Sequence, residues 1–393
     1  MTKSKEISLY IHIPFCVKKC LYCDFISARA DESTQNKYVK KLVKEMIEES
    51  SLFVDYKVIT IFLGGGTPSI LEVDLMQEIM DTAHRYYDIA TDAEITIEFN
   101  PASAKEVSGE LDSGIVESDL EYKLARYLEM GINRLSIGLQ STDNRELLLL
   151  GRSHTYEDFL DTYNIARKVG FNNINIDLMS AIPSQTYDSY VTTLQRVCEL
   201  EPEHISAYSL IVEEGTVFYN IYGDEDCIKV HPKTNQVEAL VDEDTERNIY
   251  EFTMEYLKKR GYNRYEISNY AKNGCECKHN KVYWQRGNYI GFGDAAASMV
   301  DNTRWTNEPN FSNKTQLSQR EQIEEFVFLG LRMMEGISRD RFSALYGIDI
   351  DKVYGGIIGR LVEDGLLACE EDRIRLTKKG IDVSNYVMAQ FIE

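Results

Sequence analysis

Residues 10–25, YIHIPFCVKKCLYCDF, run from a strand-forming segment into a short loop that carries Cys16, Cys20 and Cys23. The spacing C-x3-C-x2-C brings three thiolates within reach of one metal cluster. Thiolate sulfur is a soft ligand suited to iron–sulfur chemistry, and a 4Fe–4S cluster normally takes four cysteines. Asp24 and Phe25 follow Cys23, so no fourth cysteine completes the set. Three protein ligands on a four-iron cube leave one iron open to a small molecule. Two plainer readings compete. Scattered free thiols need no partner, and a structural zinc wants a fourth ligand while catalytic zinc favours His and carboxylate.

The spacing, the aromatic Tyr22 and the position after a first strand resemble the signature of the radical S-adenosylmethionine (SAM) superfamily. The resemblance implies that Cys16, Cys20 and Cys23 hold a 4Fe–4S cluster. It also implies that SAM chelates the open iron through its amino and carboxylate groups.

Outward from this loop, strand-like and helix-like segments alternate. Strands are expected at Val58–Leu63, Glu94–Phe99, Arg134–Leu139, Asn173–Met179 and His204–Ile211, with helices at Thr34–Glu49, Leu71–Tyr86, Asp119–Met130, Tyr156–Val169 and Tyr187–Leu200. With the first strand this makes six βα units, the signature of parallel pairing. Polar residues sit at the strands' C-terminal ends, where barrel enzymes place their sites. The fold class expected is α/β, a partial (β/α)6 TIM-like barrel of the radical SAM type. Residues 104–118 and 223–244 read as surface insertions, and 213–245 as mostly irregular. A C-terminal α+β region ends in a winged-helix-like module: helices at 321–334, 339–346 and 353–364, then a hairpin over 366–376. Domains are expected at 1–212 (barrel), 213–314 (barrel extension) and 315–393 (winged-helix-like).

Gly64-Gly65-Gly66-Thr67-Pro68 ends the second strand. Glycines there let backbone groups approach a ligand without a Cβ in the way; no Gly-Lys-Ser/Thr follows, so it is not a P-loop. Alone it would pass for a tight turn. In the superfamily such a loop meets SAM's amino group. Glu98 and Asp177 could serve ribose hydroxyls, and Arg152 could fork onto the methionine carboxylate.

The strings YIHIPFC, GGGTP, IEFNP and NRLSIGLQS, with the spacing of Gln140, Arg152 and Asp177, narrow the resemblance to oxygen-independent coproporphyrinogen III oxidase and its relatives. It covers nearly the whole chain outside the insertions. It implies SAM contacts from Tyr10, Tyr22, Gly65, Gly66, Thr67, Glu98, Gln140, Arg152, Asp177 and Ile211. Two branches compete. The oxidase branch, which decarboxylates coproporphyrinogen III through a radical made from SAM, has a longer segment before the first strand and a cysteine where Phe25 stands here. Both departures point to the HemW-type heme chaperones, as does H-N-x-x-Y-W at His279–Trp284. That branch implies heme as a further ligand, a heme-acceptor protein as partner, and His279 as the heme residue. A neutral imidazole is a common iron ligand, and Tyr283 and Trp284 offer flat faces. Without the family, a surface His beside core aromatics is the plainer reading. Cys275 and Cys277 make C-x-C-x-H with His279; two free thiols are preferred to a zinc site or a vinyl attack. An electron donor and a homodimer sharing the cluster remain open.

Composition excludes other classes. The 393-residue chain carries a net charge of −21, which opposes broad nucleic-acid or anionic-lipid contact. Three acidic residues, Glu370, Glu371 and Asp372, fall in the expected wing, against DNA binding. No apolar run of roughly eighteen residues predicts a membrane span, and the first residues lack a signal-peptide pattern. A cytoplasmic location is expected, one that keeps the eight cysteines reduced.

Overall fold

The computed structural model describes residues 5–101, 116–223, 229–308 and 311–392. Strands β1 (Lys5–Ile13), β2 (Tyr56–Gly65), β3 (Asp88–Phe99), β4 (Arg134–Gln140), β5 (Ile174–Ser180) and β6 (His204–Ser209) pair in chain order, each parallel to the next. Helices α1 (Glu32–Ser50), α2 (Val73–Tyr86), α3 (Val116–Glu129), α4 (Asn144–Leu150), α5 (Tyr156–Val169) and α6 (Tyr187–Glu199) lie between them. This is the expected partial (β/α)6 barrel. Of the insertion expected at 104–118, residues 104–115 lie outside the described residues and 116–118 open helix α3; residues 224–228 of the second also lie outside them.

Side-chain alternation explains why these strands wrap a site. Ile7, Leu9, Ile11 and Ile13 on β1, Leu135, Ile137 and Leu139 on β4, and Ile174, Ile176 and Leu178 on β5 are fully buried in the main core. Each such side chain contributes about 1.5–3 kcal/mol by leaving water. Helix α1 meets this layer with Tyr38, Val39, Leu42 and Met46, one stripe at helical spacing. The alternate positions carry Tyr10 and His12, Ser136 and Gly138, Asn175 and Asp177, and His204, Ser206 and Tyr208. Those polar rows point inward. The helices start on defined caps: the Asp31 carboxylate accepts from Thr34 N–H, and Thr155 and Thr186 form capping boxes.

After β6 the sequence reading is incomplete. Helix α7 (Val217–Tyr222) forms inside the stretch expected to be irregular, burying Phe218, Ile221 and Tyr222 against Leu21 of the cysteine loop. Helix α8 (Glu243–Lys259) follows, capped by Asp242. Strands β7 (Asn263–Arg264) and β8 (Asn269–Ala271) extend the sheet antiparallel beyond β6. Helix α9 (Lys278–Trp284) then leads to β9 (Tyr289–Phe292), which pairs parallel with β1 at the opposite edge. Strands β10 (Ala297–Val300), β11 (Thr303–Glu308), β12 (Phe311–Ser312) and β13 (Thr315–Gln316) continue from there.

The last unit has its own core. Helices α10 (Gln319–Gly330), α11 (Arg339–Tyr346) and α12 (Ile350–Glu363) pack Phe326, Phe342, Ile350 and Leu361 against a three-stranded sheet. That sheet comprises β14 (Ile337–Ser338), β15 (Leu367–Glu370) and β16 (Arg373–Leu376), ordered β14-β16-β15. Among the described residues no helix is long and apolar enough to cross a membrane.

Candidate functional site

The C-terminal ends of the barrel strands open on a cavity of about 460 Å³. Its wall holds Cys16, Cys20 and Cys23, together with Tyr10, Tyr22, Gly65, Gly66, Thr67, Glu98, Gln140, Arg152, Asp177 and His279. Of the residues expected at the SAM site, Ile211 alone is left out. Strand β6 ends at Ser209, and Ile211 lies beyond it, 67% exposed and off the wall. The wall positions on β6 are His204, Ser206 and Tyr208 instead.

The three cysteines are partly exposed and free. Cys16 Sγ lies 3.4 Å from Thr67 Oγ1, tying the cysteine loop to the glycine turn. Arg152 Nη1 donates to Cys20 Sγ at 3.6 Å. Burial pushes the Cys23 thiol up to about 11, while the Phe25 backbone amide pulls it back. This thiol is therefore protonated at neutral pH, and metal binding releases its proton. No three His, Cys, Asp or Glu side chains among the described residues converge tightly enough for a single metal ion. A four-iron cluster makes a different demand, because its ligands sit on separate irons at the corners of a cube.

The glycine turn is built for close approach. A Cβ on Gly66 would stand 2.6 Å from Phe15 O, and Gly65 adopts φ +111° with its N–H donating to Glu98 Oε2 at 3.1 Å. Gly138 leaves room for Arg152: a Cβ there would reach within 3.1 Å of Nη2. Arg152 Nη2 donates to Gly138 O at 2.6 Å, while its buried Nε has no partner among the described residues. Burial opposes the charge on Arg152, and the nearby Cys20 and Tyr22 more than offset it, so it stays a cation. Gln140 holds φ 75° at a break in the β4–β5 register, and its Oε1 accepts from Tyr208 OH at 2.9 Å. A non-glycine residue kept in that region signals a position fixed by its surroundings. A cavity with three open thiols, a side-chain-free turn and an unsatisfied guanidinium nitrogen fits a cluster bearing SAM on its fourth iron.

Two carboxylates face the same space. Burial, then the charge of Asp177, pushes Glu98 up to about 8, with the Gly65 N–H opposing. Burial also raises Asp177, against hydrogen bonds from Asn175 and Ser206. Asn175 Nδ2 donates to Asp177 Oδ1 at 2.8 Å. Burial thus keeps the proton on Glu98 near neutral pH. The consequence for stability has a definite sign. Folded Glu98 keeps its proton to about pH 8 and the unfolded chain loses it near 4.5, so the native state binds more protons between those values. Stability contributed by this group is complete below the lower value and falls as pH rises to the upper. Denaturation followed across that window is expected to lose this downward slope in Glu98→Gln; an unchanged slope would refute the assignment.

His279 lies deeper than its motif implies. It is 1% exposed, with Nδ1 2.7 Å from Thr60 Oγ1 and Nε2 2.8 Å from Tyr283 OH. Glu94 anchors its helix by accepting from Lys278 N at 3.1 Å and His279 N at 3.2 Å. Burial, then the Arg134 charge, lowers His279 to about 3, so the ring is neutral. Trp284 is turned away: it lies under Arg332, 4.2 Å from the ring centroid, and packs in the cluster of Tyr265, Cys277 and Met333. Cys277 is buried and its thiol donates to Glu94 Oε1 at 3.5 Å; Cys275 stays partly exposed. Arg134, Ser136, Asn175, His204 and Ser206 on the wall were missed from the sequence. Period-two spacing from Asp177 and Gln140 would have found most of them.

A radical SAM superfamily model matches residues 10–197, and a HemN C-terminal domain model matches 317–383. The chain is 34% identical over 400 residues to the protein named heme chaperone HemW of Bacillus subtilis, covering 98% of this chain and 99% of that one. To the same-named protein of Escherichia coli it is 32% identical, with 100% of both covered. Among solved structures, coproporphyrinogen III oxidase (HemN) of Escherichia coli, a radical SAM enzyme, superposes with TM-score 0.80 at 24% identity over 98% of this chain and 90% of that one.

Proposed function

The chain belongs to the radical SAM superfamily and, within it, to the HemW heme chaperones, and from that footing we propose that it binds heme beside a SAM-ligated 4Fe–4S cluster and passes the heme to an acceptor protein. The observation that supports it best is the single cavity on which the three cysteines, the glycine turn and Arg152 all open. With SAM on its open iron, such a cluster supplies one-electron chemistry when an electron donor reduces it.

The chain's own residues do the holding. Cys16, Cys20 and Cys23 ligate three irons. Gly65, Gly66 and Thr67 would give backbone room to SAM's amino end, and Arg152 would supply the cation for its carboxylate. Glu98 and Asp177 accept from the ribose hydroxyls, the protonated one also able to donate. Tyr10, Tyr22 and Gln140 close the wall. His279, whose neutral ring lines the same cavity, would be the residue of the motif nearest to a bound heme. The free thiols suit a cytoplasmic setting.

Removing the guanidinium takes away a charged hydrogen-bond donor pair, so Arg152→Ala is expected to weaken SAM binding by roughly 10- to 100-fold. Equilibrium dialysis on cluster-loaded protein reads this, and equal affinity rejects the carboxylate role. The function itself is tested by anaerobic heme titration of the full chain, followed by absorbance. Stoichiometric heme uptake is expected. If no heme is bound, the chaperone reading fails, and protoporphyrinogen formation from coproporphyrinogen III becomes the next assay.

A further inference from the structure

The inward face of β4 carries an arginine site at each of two depths. Gly138, near the C-terminal end, leaves room for Arg152. Arg134 begins the strand on the same face, four residues lower, about 13 Å down the barrel at the usual rise per residue. Its side chain lines the cavity and is only 2% exposed.

No group of the protein answers this charge directly. Among the described residues the guanidinium has no carboxylate within ion-pair distance, and its buried Nε has no hydrogen-bond partner. The groups around it are engaged elsewhere. Glu94 accepts from Lys278 N at 3.1 Å, His279 N at 3.2 Å and the Cys277 thiol at 3.5 Å. Tyr265 OH lies 2.9 Å from His204 Nε2, and Asp177 Oδ1 accepts from Asn175 Nδ2 at 2.8 Å. Burial opposes the charge on Arg134; Cys277, Glu94, Tyr265 and Asp177 offset it from a distance, so the group stays a cation. Thr96, its register partner on β3, is fully buried with Oγ1 also unbonded. A buried cation without an acceptor is costly, and an unpaired buried polar group calls for an explanation.

We propose that the floor of the cavity is a carboxylate subsite with Arg134 as its cation, separate from the place that Arg152 offers to SAM. A guanidinium presents paired N–H donors that match the two oxygens of a carboxylate. One cation with Glu94 and Asp177 nearby suits a monoanion better than a phosphate. The occupant is a second ligand that points its acid group down the barrel. On the chaperone reading, on which this identification rests, that group is a heme propionate; a small free carboxylate is the other source of the same chemistry.

The test compares wild type, Arg134→Gln and Arg134→Lys in anaerobic titrations of the cluster-reconstituted full chain. The probes are heme and heme dimethyl ester, whose esterified propionates carry no charge. Thermal melts in sodium propionate, against sodium chloride of equal ionic strength, give a second readout. Wild type is expected to prefer heme over the ester at least roughly tenfold, the worth of one charged hydrogen-bonded contact. Arg134→Gln is expected to bind the two alike, whereas an arginine that only shapes the fold would lower both affinities together and leave the preference intact. Arg134→Lys keeps the charge but not the fork, so it should hold only part of the preference, and it stands in if Arg134→Gln does not fold. If wild type binds heme and ester alike, but propionate raises its melting temperature and not that of Arg134→Gln, the subsite stands and its occupant is a free carboxylate. A preference that survives in Arg134→Gln overturns the assignment, as does a wild type with neither preference nor response to propionate. A wild type that binds no heme sinks the chaperone reading, and the propionate melts then decide the subsite alone.

Discussion

Cys20→Ala, purified and reconstituted without oxygen, is expected to carry almost no iron or sulfide. Each thiolate would hold a different iron of the cluster, and the chain supplies only three of the usual four ligands. Losing one leaves two corners held. The same replacement should barely disturb folding. Cys20 is partly exposed in a loop, so no core cavity opens, and losing the Arg152 bond to its sulfur costs about 1 kcal/mol. Iron and sulfide analysis beside a urea melt separates the two effects. Cys369→Ala, at an exposed thiol of β15, is the matched control and should load normally. A full iron complement in Cys20→Ala would end the cluster assignment.

Gly65→Ala is expected to lower stability by roughly 3 kcal/mol and to abolish measurable SAM binding. Two costs add. A side chain at φ +111° is strained, at about 1–3 kcal/mol. Its Cβ would also stand 2.4 Å from the His12 ring, and such overpacking costs about 1–3 kcal/mol. Relief requires the backbone to turn, which breaks the Gly65 N–H bond to Glu98. Urea denaturation gives the first number and dialysis the second. Native stability with intact SAM binding would show that the turn is ordinary.

How much of this could be read from the chain depends on length of pattern. The six parallel strands were legible because most carry buried aliphatic residues at alternate positions, with polar or glycine residues at or just past their ends. Helix α7 was not, since six residues set in acidic sequence carry too little periodicity, and its burial against Leu21 is a long-range contact. Strands β7 and β8 are two and three residues long, below any useful alternation. For the site, motif positions before β6 converged as expected. Ile211 did not, because β6 ends at Ser209, two residues earlier than the aliphatic run suggests. The motif around His279 announces its residue types but not their depth: Thr60 on β2 and Glu94 on β3 reach it from elements far apart in sequence, and Tyr283 closes on it from one turn along the same helix.

The parallel pairing of β9 with β1 carries a consequence for how the molecule is made. Ser8–Ile11 must wait for Tyr289–Phe292 before its second edge is closed. At a ribosomal pace of about 5–20 residues per second, that interval is roughly 15–60 s. During it, β1 has β2 on one side and bare backbone on the other, with the cysteine loop hanging from its end. Pairings this distant also slow folding after release. The strand from which the cysteines start is therefore among the last to be sealed, only when the C-terminal third has come back to it.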